Sequence, residues 1–115
     1  RGLAEISRLG IALGANEHTF AGLTGLGDLV TTCISPMGRN RSFGERIGKG
    51  QSVEQAKQAT ASVIEGIATC KSVFELAKKH NVEMPITEAV YGILFEGKTV
   101  KKAIMDLMTR RLKSE

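Results

Sequence analysis

Tryptophan is absent from this 115-residue chain, and one tyrosine and four phenylalanines are its whole aromatic complement. Proteins that stack nucleic-acid bases need exposed aromatic platforms, and few rings are available here for that task. Two cysteines, Cys33 and Cys70, are too few for a disulfide framework or for a four-ligand zinc site of their own. No apolar run approaches the ~20 residues that cross a bilayer, so no membrane span is expected. The opening RGLAEISRLG lacks the charged, apolar, then small pattern of a secretory leader, and a reducing cytoplasmic setting is the simplest expectation. Strand-like alternation, internal repeats and low-complexity tracts are also missing.

What is present is ordinary for a globular domain: 42% hydrophobic and 24% charged residues. A chain of this length buries roughly two thirds of its unfolded surface, which supports one core. The net charge is +4, from 16 Lys and Arg against 12 Asp and Glu. The positive charge gathers in three places: Arg39 to Arg46, Lys78 to His80, and Lys98 to Lys113. The last two read as solvated helix ends, where cations are favoured. The first differs because Gly and Asn are interspersed in it.

The apolar period is helical from end to end. Leu3, Ile6, Leu9 and Leu13 form one face of a first helix, which Gly14 can stop. No N-cap precedes Leu3 and the first residue is Arg1, so the terminus is expected to be a cut inside a longer helix. Ser52 and Gln55 make a capping-box pair. A helix is expected over Ile64 to His80, with Asn81 as its stop. Pro85 opens the next helix, and Thr99 can cap the last, whose stripe is Val100, Ala103, Ile104, Leu107, Met108 and Leu112. The fold class is all-α, with about six to eight helices packed around the 64–80 helix and its neighbours.

Several familiar motifs fail on inspection. Gly25-Leu26-Gly27 lacks the third glycine of a dinucleotide fingerprint and follows no strand. Gly44 to Gly50 has the wrong spacing for a P-loop. His18 and His80 have no ligand-spaced neighbours, and no metal site is expected. Cys33, a candidate nucleophile by residue type, is expected in the core, because free cysteine is among the most buried residues.

Residues 25–44, GLGDLVTTCISPMGRNRSFG, remain. Seven of the 13 glycines fall between Ala21 and Gly50, a density that marks tight turns or close approach to a ligand. Asp28 sits among glycines and apolar residues, either as a helix N-cap or as a carboxylate that meets a cation or donors. Arg39-Asn40-Arg41 follows Gly38 at a helix start, either as a solvated basic turn or as a phosphate cradle of guanidinium forks and free N–H groups.

The segment resembles the C-terminal, substrate-binding domain of bacterial NAD(P)-dependent glycerol-3-phosphate dehydrogenase. The matching pieces are RGLAEISRLGIALG at 1–14, FAGLTGLGDLVTTC at 20–33, GRNRSFG at 38–44, VIEG at 63–66 and VEMPITEAVYGILFEG at 82–97. The resemblance implies an all-α domain like the C-terminal domains of 6-phosphogluconate dehydrogenase-like enzymes. It implies an enzyme that interconverts sn-glycerol 3-phosphate and dihydroxyacetone phosphate with NAD or NADP, feeding phospholipid synthesis. Residues 1–115 would be a single substrate-binding domain, with the Rossmann domain and the family's catalytic lysine upstream and outside this chain.

By the same resemblance, Asp28, Thr32, Gly38, Arg39 and Asn40 line the substrate site, with Arg39 and Asn40 on the phosphate. Arg39, Val63 and Glu65 resemble cofactor contacts. Gly38 stands where a serine is common in bacterial members. No catalytic residue and no metal ligand is assigned, and the segment alone is expected to be inactive. Neither a nucleic-acid partner nor a membrane span is expected, and a homodimer is left open. The rival readings are a stand-alone helical module for a phosphorylated ligand, and a nucleic-acid binder whose affinity would fall steeply with salt.

Overall fold

In a computed structural model that describes residues 1–16, 18, 27–35, 38–60 and 62–110, the helical periods become seven helices. They are α1 (Gly2–Ala12), α2 (Asp28–Ile34), α3 (Arg39–Gly48), α4 (Val53–Gln58), α5 (Glu65–Lys79), α6 (Pro85–Phe95) and α7 (Val100–Thr109). No strand occurs among the described residues, and the fold is all-α.

The helix ends follow local chemistry. Gly14, at φ +95°, lets the chain fold back so that its own N–H reaches Ile11 and that of Ala15 reaches Gly10. Asn81 does the same after α5 at φ 54°, the one non-glycine residue with positive φ among those described. Ser52 and Gln55 form the reciprocal capping box at the start of α4. Thr99 accepts the Lys102 N–H at the start of α7.

Two apolar clusters hold these helices. Phe43, Ile47, Ala56 and Ile64 form one, with Ile67 and Ile93 packed against it. Leu9, Ala77 and Met84 form the other, flanked by Val73 and Leu76. Residues of α5 reach both clusters, but the helix that packs against α1, α5 and α7 is α6, so the packing centres on the neighbour of the 64–80 helix. Each large apolar side chain removed from water here contributes roughly 2 kcal/mol. The scarce aromatics are used to pack: Phe74 stacks on Tyr91 at 3.7 Å, and Tyr91 leans on Phe95 at 4.9 Å.

The start of α6 carries the least expected contact. Pro85 has no N–H, and Met84 before it supplies no side-chain cap. The next two N–H groups, of Ile86 and Thr87, both donate to the carboxylate of Glu5 in α1, as does the Thr87 hydroxyl at 3.3 Å. Glu5 is only 3% exposed. A buried carboxylate is tolerable because three donors and the positive end of α6 meet it. Arg8 adds a hydrogen bond to the Glu83 carbonyl alongside.

Two expectations are corrected. Cys33 is exposed rather than core, because α2 lies on the surface with Val30 and Ile34 also facing out. A cysteine is buried only when its helix face is. Cys70 is the half-buried one, and burial pushes its thiol pKa up. Lys98, read as part of a solvated run, instead lays its stem over Gly92 and pairs with Asp106 at 3.0 Å. Asp106 also meets Lys102 at 3.0 Å, and hydrogen bonds from the two ammonium groups hold its carboxyl below the ordinary range. A lowered folded pKa means stability that is present above the ordinary carboxylate range and lost as pH falls through the lowered value. Asp106→Asn should therefore flatten the acid limb of the pH–stability curve, as read by urea midpoints across that range.

Candidate functional site

The end of α2 and the start of α3 meet beside Gly38. Its N–H donates to the Ser35 carbonyl at 3.2 Å, and Arg41 reaches back to the Ile34 carbonyl at the end of α2. A Cβ built on Gly38 would stand 3.5 Å from the Thr32 carbonyl and 3.4 Å from that of Ser35. That is ordinary contact, so the turn has room for a small side chain at this position. Gly38 is the extended N-cap of α3, and Arg39, Asn40 and Arg41 are its first three residues. Their N–H groups are the free donors of a helix start, with the positive end of the helix behind them.

Arg39 is exposed, and among the described residues no hydrogen bond or ion pair engages its guanidinium. Asn40 is different. Its Oδ1 accepts the N–H of Gly66, the second residue of α5, at 3.1 Å. This single bond brings the start of α3 against the start of α5, and with it the exposed Val63 and Glu65 just before Gly66. Asn40 thus lies beside the start of α5, 26 residues away in sequence. Thr32 is exposed on α2, whose end leads directly into the Gly38 turn. Asp28 is the first residue of α2, and its side chain lies outside the described residues.

A guanidinium with no partner among the described residues, the N–H groups of a helix start and a carboxamide form a donor-rich corner that suits a phosphate. An apolar cavity of about 420 Å³ runs from Asn40 and Gly66 down to Phe43, Ile47 and Ile93. Its walls suit hydrocarbon rather than a phosphate, and the polar groups stand at its rim. Among the described residues, no group of three or more His, Cys, Asp or Glu side chains is placed to hold a metal. No described helix is long and apolar enough to cross a membrane.

Residues 1–105 match the family model described as the NAD-dependent glycerol-3-phosphate dehydrogenase C-terminus. The chain belongs to this family. A glycerol-3-phosphate dehydrogenase of NAD(P)+ type from Salinibacter ruber is 57% identical over 115 residues, all of this chain and 34% of the relative. One from Staphylococcus aureus is 56% identical over 115 residues, all of this chain and 35% of its own length. The crystal structure of glycerol-3-phosphate dehydrogenase from Coxiella burnetii superimposes with a TM-score of 0.89 at 42% identity, over 94% of this chain and 33% of that one. The chain spans about a third of the length of the dehydrogenases it matches.

Two residues escaped the sequence reading. Glu5 looked like an ordinary acidic residue in the first turn of an amphipathic helix. Gly66 carried a signal that could have been used: glycine inside a helix start costs about 1 kcal/mol against alanine and so asks for a reason. The reason is the Asn40 carboxamide lying against it.

Proposed function

We propose that the full-length protein carrying this segment interconverts sn-glycerol 3-phosphate and dihydroxyacetone phosphate with NAD or NADP, and that residues 1–115 form its helical substrate-binding domain. The observation that carries this reading is the juxtaposition of Arg39 and Asn40 with the start of α5, in a chain of the dehydrogenase family. Arg39 and Asn40 hold the substrate phosphate, with the N–H groups of α3 behind them. Asp28, Thr32 and Gly38 line the same corner. Arg39, Val63 and Glu65 meet the dinucleotide, for which an arginine and free N–H donors are a chemically fitting edge.

The nicotinamide supplies hydride transfer when bound. This chain's residues bind and orient the phosphate end of the substrate. The proton-transferring group is the family's lysine, outside these 115 residues. The test is an assay of the full-length protein: consumption of NADH or NADPH on addition of dihydroxyacetone phosphate, and no consumption with dihydroxyacetone. No turnover with either cofactor from a folded, full-length preparation sinks the reading.

A further inference from the structure

We propose that Gly66 is a positioning residue, which fixes the Asn40 carboxamide so that its NH2 end faces the substrate phosphate. The inference rests on the reading of Arg39 and Asn40 as the phosphate corner. A carboxamide offers an acceptor at one end and two donors at the other, and a phosphate needs the donors. The Gly66 N–H can only donate. At 3.1 Å from Oδ1 it selects the oxygen end, since the flipped amide would set N–H against N–H. The carboxamide lies broadside to residue 66, with Nδ2 3.1 Å from where a Cβ would stand, and among the described residues no hydrogen bond engages Nδ2.

The anchor is rigid because Gly66 lies in the first turn of the fifteen-residue α5, where the N-cap Ile64 supplies no side-chain acceptor. Asn40 therefore satisfies an otherwise free N–H of α5 and is oriented by it. Glycine is required for the approach. A Cβ on residue 66 would fall 2.6 Å from Oδ1 and 2.8 Å from Cγ of Asn40. Those atoms end a flexible side chain, so a methyl group displaces the carboxamide and leaves the helix in place. Alanine is also the better helix former.

Two variants of the full-length protein separate positioning from mere helix capping. Asn40→Asp keeps an oxygen for the Gly66 N–H and keeps α5 capped, but turns a second oxygen toward the phosphate. It should leave Tm unchanged or raised while KM for dihydroxyacetone phosphate rises about tenfold or more, the scale of a lost hydrogen bond to a charged group. Gly66→Ala should raise the same KM about fivefold to tenfold with kcat less affected and Tm maintained. Combining Gly66→Ala with Asn40→Ala should be no worse than Asn40→Ala alone, because both remove one donor.

A KM unchanged in Asn40→Asp, or effects of Gly66→Ala and Asn40→Ala that add, overturns the inference. If Arg39→Ala weakens phosphate binding while both variants are silent, only the positioning role fails. If Arg39→Ala is silent as well, the phosphate corner fails with it.

Discussion

Replacing Arg39 with alanine in the full-length protein should lower kcat/KM for glycerol 3-phosphate by about ten- to a hundredfold, which is the scale of a charge-assisted hydrogen bond to a phosphate. The fold should be untouched, since the guanidinium makes no hydrogen bond or ion pair with any described residue and the side chain is exposed. Lysine at the same position should restore the charge but only part of the rate. A point charge on a flexible stem cannot reproduce the planar fork. Arg41, two residues on, bonds to the carbonyl end of α2 and not to the open corner. Arg41→Ala should therefore cost much less in kcat/KM than Arg39→Ala. Steady-state kinetics on the three variants checks this. A near-wild-type kcat/KM for Arg39→Ala would move the phosphate site elsewhere.

The second large effect is on stability. Glu5→Ala removes the acceptor for two backbone N–H groups and one hydroxyl at the start of α6, in a site closed to water. The loss should be about 3 kcal/mol, because hydrogen bonds to a charged group are lost and buried donors are left unpaired. Glu5→Gln retains one acceptor oxygen and should cost about half as much. Thr87→Val removes only the hydroxyl donor and should be the mildest of the three. Urea unfolding followed by circular dichroism ranks them. Equal stability of Glu5→Ala and the parent would show that solvent reaches this helix end.

Arg39 was legible in the sequence and Glu5 was not. Helices and their ends could be read because their causes are local: a period along one face, Ser52 three residues before Gln55, and Asn81 or Gly14 where the chain must turn left. The candidate site was half legible. Glycine before Arg39-Asn40-Arg41 marks a helix start with exposed donors, and the structure has that arrangement. The link from Asn40 to residues 63–66 is made in space, and only the family resemblance placed Val63 and Glu65 in the same site. Cys33 was misjudged because a residue's average burial was applied to a helix that lies on the surface. Glu5 had no local signal at all, since its partners are 81 and 82 residues away.

That separation also bears on the order in which the helices assemble. The connections between α5, α6 and α7 are the short stretches 80–84 and 96–99, so these three can pack with little loss of chain freedom. Bringing Glu5 to Thr87 closes a loop of 82 residues, whose entropic cost grows with the logarithm of its length and must be met before any contact rewards it. The C-terminal helices are therefore expected to form the early nucleus, with α1 docking late. Until it does, the first turn of α6 stands open to water. The carboxylate that completes that turn is then placed as a latch, expected to close late in folding and to open early when the domain breathes.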